Sequence, residues 1–404
     1  MGLLERFERY VKVWTTSDEN CEQTPSTERQ FDLAHMLAQE LCDMGVADAV
    51  CDEHCYVYGH IPATAGCEKA PRLGFIAHMD TAEFNGRGVQ PRVIEDYDGK
   101  KVTYPNGLVL DPKEFPHLRR LKGRTLVVTQ GDTLLGADDK AGVAEIMELA
   151  QELVCSDTPH GRICIAFCPD EEVGRGTAKF DLDAFGADFA YTVDGGEEGE
   201  VSWECFNAAA AHFEITGKSI HPGEAKGKMQ NASLIAMEIN AMLPAAERPE
   251  YTEGREGFFG LMHMDGSVER ATLDYIVRDH DAARFDERLD TLRHIEKIVN
   301  ERYGDNCCTL TVREQYRNMR EALAGHEHLV ENAKKAARQA GLKPEVLPVR
   351  GGTDGAALSF MGLPCPNLGT GGWCFHGPLE HITVEGMEKA LDILRRLVAI
   401  YAEG

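Results

Sequence analysis

Apolar residues along this chain recur with two different periods. Residues 3–13 place Leu3, Leu4, Phe7, Tyr10 and Val11 on one helical face. A second stripe, Phe31, Ala34, Leu37 and Leu41, follows a capping-box pattern of Thr27 and Gln30 and stops near Gly45. Short, wholly apolar runs then appear at Leu73–Ala77, Ile163–Phe167 and Phe189–Val193. Unbroken runs of this length predict strands covered on both faces. Between the first two runs, Val143, Ile146, Met147, Ala150 and Leu153 predict a helix. Residues 83–124 are rich in turn formers and predict excursions and edge strands. The implied architecture is α/β: an open, mostly parallel sheet sandwiched by helices.

The pattern changes near Asn207. Alternation over Ala211–Thr216 predicts a strand, 228–242 a helix, and Phe258–Met264 with Ala271–Arg278 a hairpin around Asp265-Gly266. A helix carrying Phe285, Leu289, Leu292, Ile295 and Val299 follows, then a strand at Cys308–Val312. Strand–helix–strand–strand–helix–strand is the order of an α+β ferredoxin-like domain. Beyond it come a helix at 326–341, a strand running to Val349, the turn Arg350-Gly-Gly-Thr-Asp-Gly355, and a last helix bearing Met387, Ala390, Leu391, Leu394 and Leu397. A chain of 404 residues exceeds one comfortable core. The expected organisation is a first domain built from 1–207 and 321–404, with 208–320 inserted as a lid or dimerisation domain.

Charge narrows the partners. A formal net charge of −25 excludes nucleic-acid binding, which needs a Lys/Arg field, and favours cations. No apolar run approaches the length of a membrane span, and charges at Glu5 and Arg6 interrupt the start too early for a signal peptide. Thirteen cysteines, with Cys164 and Cys168 inside apolar runs, suit a reducing, cytoplasmic setting. Cys51 and Cys55 lack a second pair at zinc-finger spacing and read as part of an edge segment.

The chemistry lies where apolar runs end. His78-Met-Asp80, Pro169-Asp-Glu-Glu172 and Asp194-Gly-Gly196 each follow a predicted buried strand. In open α/β sheets ligands bind beyond the strands' carboxyl ends. With the Asp138-Asp139 pair and a late His376, the set offers two imidazoles and three carboxylate positions. Three carboxylates and a bridging hydroxide would neutralise two Zn²⁺ ions. Asp80 is placed to take the second imidazole N–H of His78, and Glu380 that of His376. Glu171 and Glu172 point opposite ways in extended backbone, so one is expected to hold metal and the other to act as general base.

These motifs resemble the co-catalytic zinc metallopeptidase family that includes carboxypeptidase G2 and acylase-type enzymes, and most of all its bacterial aminotripeptidase branch. The similarity runs through Thr133–Met147, Ala190–Gly196, Arg350–Gly355 and Phe360–Asn367. It implies His78 and Asp194 on one zinc, Glu172 and His376 on the other, Asp138 bridging, and Glu171 as base. It selects Asp138 over Asp139, which spacing leaves open. It implies substrate-binding roles for His221, Asn231, Arg278 and Arg350, and two Zn²⁺ per subunit, with Co²⁺ or Mn²⁺ as substitutes. The implied activity is removal of the amino-terminal residue from a small peptide, a tripeptide. The family includes dimers whose partner supplies the histidine corresponding to His221, which raises the expectation of a homodimer. The rivals are a carboxypeptidase or N-acyl-amino-acid deacylase on the same scaffold, or a non-catalytic metal-binding protein. Trp373, Cys374, Pro378 and His381 depart from the branch's pattern, and His381 competes with His376 as the last ligand.

Overall fold

The computed structural model describes residues 1–403. Contacts group the chain into two units, one of residues 1–203, 322–347 and 353 onward, the other of 204–321 and 348–352. The stretch around Arg350 therefore belongs with the second unit, whereas the sequence pattern ran it on into the first.

The first unit is built on an eight-stranded sheet. Its order is Val50–Cys51, Val57–Ile61, Ile163–Cys168, Leu73–His78, Phe189–Val193, Asn367–Leu368, Glu200–Ser202 and Glu345–Val346. Leu73–His78 pairs in parallel with Ile163–Cys168 on one side and Phe189–Val193 on the other. All three strands are buried throughout, as unbroken apolar runs require. The sheet as a whole is mixed, because Val57–Ile61 and Glu200–Ser202 join antiparallel. Residues 83–124 give short strands and a 3₁₀ turn. Of these, Arg92–Ile94 joins Leu126–Val128, His381–Thr383 and Gly372–Trp373 in a separate four-stranded sheet.

The helix Ala137–Cys155 lies against the Leu73–His78 strand and is buried continuously from Asp139 to Met147. Burial of so much of its circumference explains why it carries no clean polar face. Gly142 is required for the close approach, since a Cβ there would lie 1.9 Å from the carbonyl oxygen of Val193. The second amino-terminal helix spans Gln30–Met44 and ends at Gly45 with φ 110°. Thr27 does not cap it as a box; Gln30 instead turns its amide onto Thr27, Ser26 and Asp170.

In the second unit a four-stranded antiparallel sheet runs Phe258–Gly266, Arg270–Asp279, Asn207–Thr216, Cys308–Tyr316. With helices Ala232–Met242 and Ala282–Tyr303, this is the ferredoxin-like order. Phe213, Leu273, Val277, Ile239, Phe285 and Leu292 fill its core.

Candidate metal centre

Three parallel strands end side by side and deliver the acidic groups to one place. His78 closes its strand; Asp170–Glu172 and Asp194 follow the next two. Asp138 enters from the first turn of the Ala137–Cys155 helix, where Asp138 and Asp139 hold non-helical backbone and the peptide between them is cis. His376 arrives on the loop after Gly372–Trp373 with φ 62°, an uncommon left-handed conformation for a residue with a side chain.

Asp138 is the hub. Its Oδ1 lies 2.9 Å from His78 Nε2, and its Oδ2 lies 3.0 Å from His376 Nε2. His78 Nε2 is also 3.8 Å from Asp194 Oδ1, and His376 Nε2 is 3.0 Å from Glu172 Oε2. Each oxygen of one carboxylate thus faces a different imidazole, and each imidazole faces one further carboxylate. Atoms held by one zinc at about 2.0–2.2 Å stand roughly 3.3 Å from each other, which is the spacing seen here. His78, Asp138 and Glu172 form one group of ligand atoms close enough to share an ion; His78, Asp139 and Asp194 form another.

The second layer differs from its expected form. His78 Nδ1 donates to the backbone carbonyl of Asp80 at 3.1 Å, with the carboxylate Oδ1 at 3.4 Å. The Asp80 carboxylate accepts the backbone N–H groups of Glu171 and Glu172 at 3.0 and 3.2 Å, so it pins the turn that presents both glutamates. That turn is 3₁₀, Glu171–Val173, entered through Asp170 at φ 58°, and not the extended backbone expected. Glu380 does not orient His376. Its carboxylate accepts the backbone N–H groups of Leu135, Gly136 and Asp138 at 2.7, 2.8 and 3.1 Å and so holds the loop that presents Asp138. Asp139 is buried and accepts from His78 N and Gly142 N, both at 3.2 Å.

The charges are unbalanced. Burial pushes Asp194 up to about 7, with Asp138 and Glu172 adding to it against the pull of His78. Burial and Asp194 likewise hold Glu171 well above the usual carboxylate range. Hydrogen bonds that His376 donates to the Asp138 and Glu172 carboxylates carry its imidazole up to about 11. Burial opposes protonation of His78, yet Asp194, Asp138 and Asp80 prevail and raise it well above its ordinary value. Among the described residues no Lys or Arg pairs with Asp138, Glu171, Glu172 or Asp194. Converging buried carboxylates with imidazoles and no lysine or arginine form a donor set that fits divalent ions of zinc type.

Asp354 lies in the glycine-rich turn Arg350–Gly355, at the start of the helix Asp354–Phe360. It is buried, its Oδ2 has no hydrogen-bond partner, and burial together with Asp194 pushes it up to about 8. An aspartate between glycines and a helix looks like a cap, so its sequence context hid it. Glu198 is buried and paired with Arg124 at 2.6 Å. His381 does not join the centre: it is buried beside His117, with Nε2 atoms 2.9 Å apart.

The remaining predicted residues lie in the second unit. His221 is exposed, and its Nδ1 accepts from Gly223 N, which leaves the proton of the neutral ring on Nε2. Asn231 caps the Ala232–Met242 helix through Oδ1. Arg278 donates to the carbonyls of Ala209 and Val277 and lies over Tyr316, while Asp274 and Asp279 pair with His212 and Arg288. Arg350 donates to the carbonyls of Gly254, Glu256 and Thr252.

Residues 132–400 match peptidase family M20/M25/M40. The chain belongs to this family. It is 50% identical to the Peptidase T of Clostridium perfringens (strain 13 / Type A) over 99% of this chain and 98% of that one. Its fold is similar to that of a tripeptidase from Staphylococcus aureus, with TM-score 0.80, 20% identity, and 100% and 98% of the two chains covered. The aminopeptidase PepT of Bacillus cereus gives TM-score 0.80 at 23% identity, covering 99% and 98%. The family accounts for a mixed α/β chain whose acidic groups converge at strand ends. No helix among the described residues is long and apolar enough to cross a membrane.

Proposed function

We propose that this peptidase is a dizinc aminopeptidase that releases the amino-terminal residue of tripeptides. The observation that carries the reading is Asp138 facing His78 with one oxygen and His376 with the other. One ion would be held by His78, Asp194 and Asp138, the second by His376, Glu172 and Asp138. Bound there, the two ions supply Lewis acidity and lower the pKa of water. Zn²⁺ suits the nitrogen and oxygen donors best, and Co²⁺ or Mn²⁺ are the substitutes.

Glu171 is the general base. Fixed by the Asp80 contact to its backbone, it takes a proton from the water attacking the peptide carbonyl and hands it to the departing amine nitrogen. His221 offers an Nε2–H to the oxyanion that develops on that carbonyl. Arg350 is assigned the peptide's carboxylate, with Asn231 and Arg278 as further substrate contacts. Its guanidinium is engaged by backbone carbonyls of 252–256, so this role asks it to exchange those partners for a bidentate carboxylate. The similarity to Peptidase T and to a tripeptidase supports the substrate class.

Homodimer formation is part of the same reading. The strand Phe258–Gly266 is a sheet edge exposing Leu261, Met262 and Met264, and an uncovered apolar edge invites a two-fold partner. All thirteen cysteines are free thiols, which supports a reducing, cytoplasmic setting.

A peptide panel tests the activity. Tripeptides with free ends should be cut after the first residue, and dipeptides, tetrapeptides and amino-acetylated tripeptides should be poor substrates. Efficient release of a carboxyl-terminal residue, or of the acyl group from N-acyl amino acids, would move the assignment to those rival hydrolases. Absence of any hydrolysis by the metal-loaded protein would leave a metal-binding protein.

A further inference from the structure

Outside the candidate centre the chain assembles a second kind of metal-ligand cluster. His117, on the 3₁₀ turn Pro116–Arg119, meets His381, the first residue of the strand His381–Thr383, and Cys374, which directly follows the paired strand Gly372–Trp373. Ligand atoms of the three residues all lie within 4.8 Å of one another. The two imidazole planes are within 7° of parallel with ring centroids 5.2 Å apart, so the rings meet edge to edge through their Nε2 atoms, and the Trp373 ring lies 5.3 Å from His117 at 13° to it.

The arrangement of protons is informative. His381 Nδ1 lies 2.7 Å from the carbonyl oxygen of Leu379, which can only accept, so Nδ1 carries the proton and Nε2 of the neutral ring carries a lone pair. That lone pair points at His117 Nε2, 2.9 Å away. Two imidazole nitrogens so placed are joined either by the N–H of a neutral His117 ring donated to that lone pair or by a metal ion taken up in its place. A backbone carbonyl fixing the far nitrogen of a buried histidine is the support that metal-binding imidazoles commonly have. A thiol completes the set and no carboxylate enters it, so Ca²⁺ and Mg²⁺ are poor occupants, whereas zinc-type ions suit two imidazoles and a thiolate.

We propose that His117, Cys374 and His381 form an accessory zinc-type metal site, distinct from the Asp138 centre, with water as the fourth ligand on its half-exposed side. The ion ties the Pro116–Arg119 turn to the loop that runs from Cys374 to His381 and carries His376. Cys374 and His376 both hold left-handed backbone, at φ 58° and 62°, and a crosslink beside them fixes that loop. None of the three ligands belongs to the Asp138 centre, so this site stands or falls apart from the aminopeptidase reading.

Cobalt separates the two sites, because thiolate ligation gives Co²⁺ a near-ultraviolet charge-transfer band that nitrogen and oxygen donors do not. Metal-free full-length protein titrated with Co²⁺ to saturation should develop this band to a plateau whose intensity corresponds to one thiolate-bound ion per chain. Cys374→Ser should abolish it and lower total bound metal by one ion. His117→Asn, a change on a half-buried turn, should weaken the band-forming affinity roughly tenfold or more. No band in cobalt-saturated wild-type protein overturns the site, even if a variant misfolds. So does a band undiminished in Cys374→Ser, which would place the thiolate on another cysteine, or an affinity unchanged in His117→Asn.

Discussion

Glu171 and Glu380 are carboxylates of the same region with opposite tasks. Glu171 is assigned the proton transfer, and burial together with Asp194 holds its carboxyl well above the usual carboxylate range. Glu171→Gln should still bind two metals while turnover falls by about 10²–10⁴-fold, read by steady-state kinetics beside metal content. Near-normal turnover would remove Glu171 from the mechanism. Glu380 is expected to touch neither metal nor substrate. Burial pushes it up to about 7 even though three backbone N–H groups pull it down. Glutamine can accept with one oxygen only and would turn an N–H toward those donors. Glu380→Gln should therefore loosen Asp138 and weaken metal affinity by roughly 10–100-fold, with the fold retained. Competition against a chromophoric chelator measures this, and unchanged affinity would make the Glu380 contacts incidental.

At the scale of elements, the helix Ala137–Cys155 has to lie close enough to the sheet for Asp138 to reach both histidines. Gly142 permits the approach: a methyl group there would meet Val193 O at 1.9 Å and Asp139 Oδ1 at 2.6 Å. Gly142→Ala should destabilise the protein by about 3 kcal/mol through overpacking against backbone that cannot yield. Thermal melting checks it, and a wild-type midpoint would mean that helix and strand have room to part. The same elements show what pattern alone could reveal. Leu73–Ala77, Ile163–Phe167 and Phe189–Val193 were legible because strands buried on both faces carry no polar alternation, and their ends marked His78, Glu172 and Asp194. The sheet's outer strands on the other side were not, since Glu200–Ser202, which joins antiparallel, and Asn367–Leu368 are too short to show a period. Nor was the 3₁₀ turn at Glu171, whose shape depends on Asp80 from a distant segment. Glu380 was misread for the same reason. Four residues from His376 in sequence, it is spent on amides of Leu135–Asp138, a contact that only the tertiary fold decides.

The whole molecule carries a formal net charge of −25, and its buried acidic centre makes metal, pH and stability one coupled problem. In the metal-free chain Asp194 is raised to about 7 and Asp354 to about 8. An acid whose folded pKa lies above its unfolded value stabilises the fold below the unfolded pKa and loses that contribution as pH rises through the folded one. His376, raised to about 11 by its carboxylate partners, acts in the same direction: its contribution is full below its unfolded pKa and declines toward the folded one. The metal-free protein should therefore lose stability from these groups as pH climbs from about 4 to about 8. Divalent ions need the same carboxylates ionised and the same imidazoles free of protons, so their affinity rises across that window and binding releases protons. The separation in melting temperature between zinc-loaded and metal-free protein should widen steadily with pH. Mg²⁺ at equal concentration separates this from general screening of a −25 surface. A hard ion with a demand for octahedral oxygen ligands relieves surface repulsion but fits two imidazoles poorly, so its separation should stay small and nearly flat with pH. If the zinc separation is also flat, or narrows with rising pH, the raised carboxyls of Asp194 and Asp354 are not coupled to metal binding, and the acidic centre owes its burial to something other than a cation.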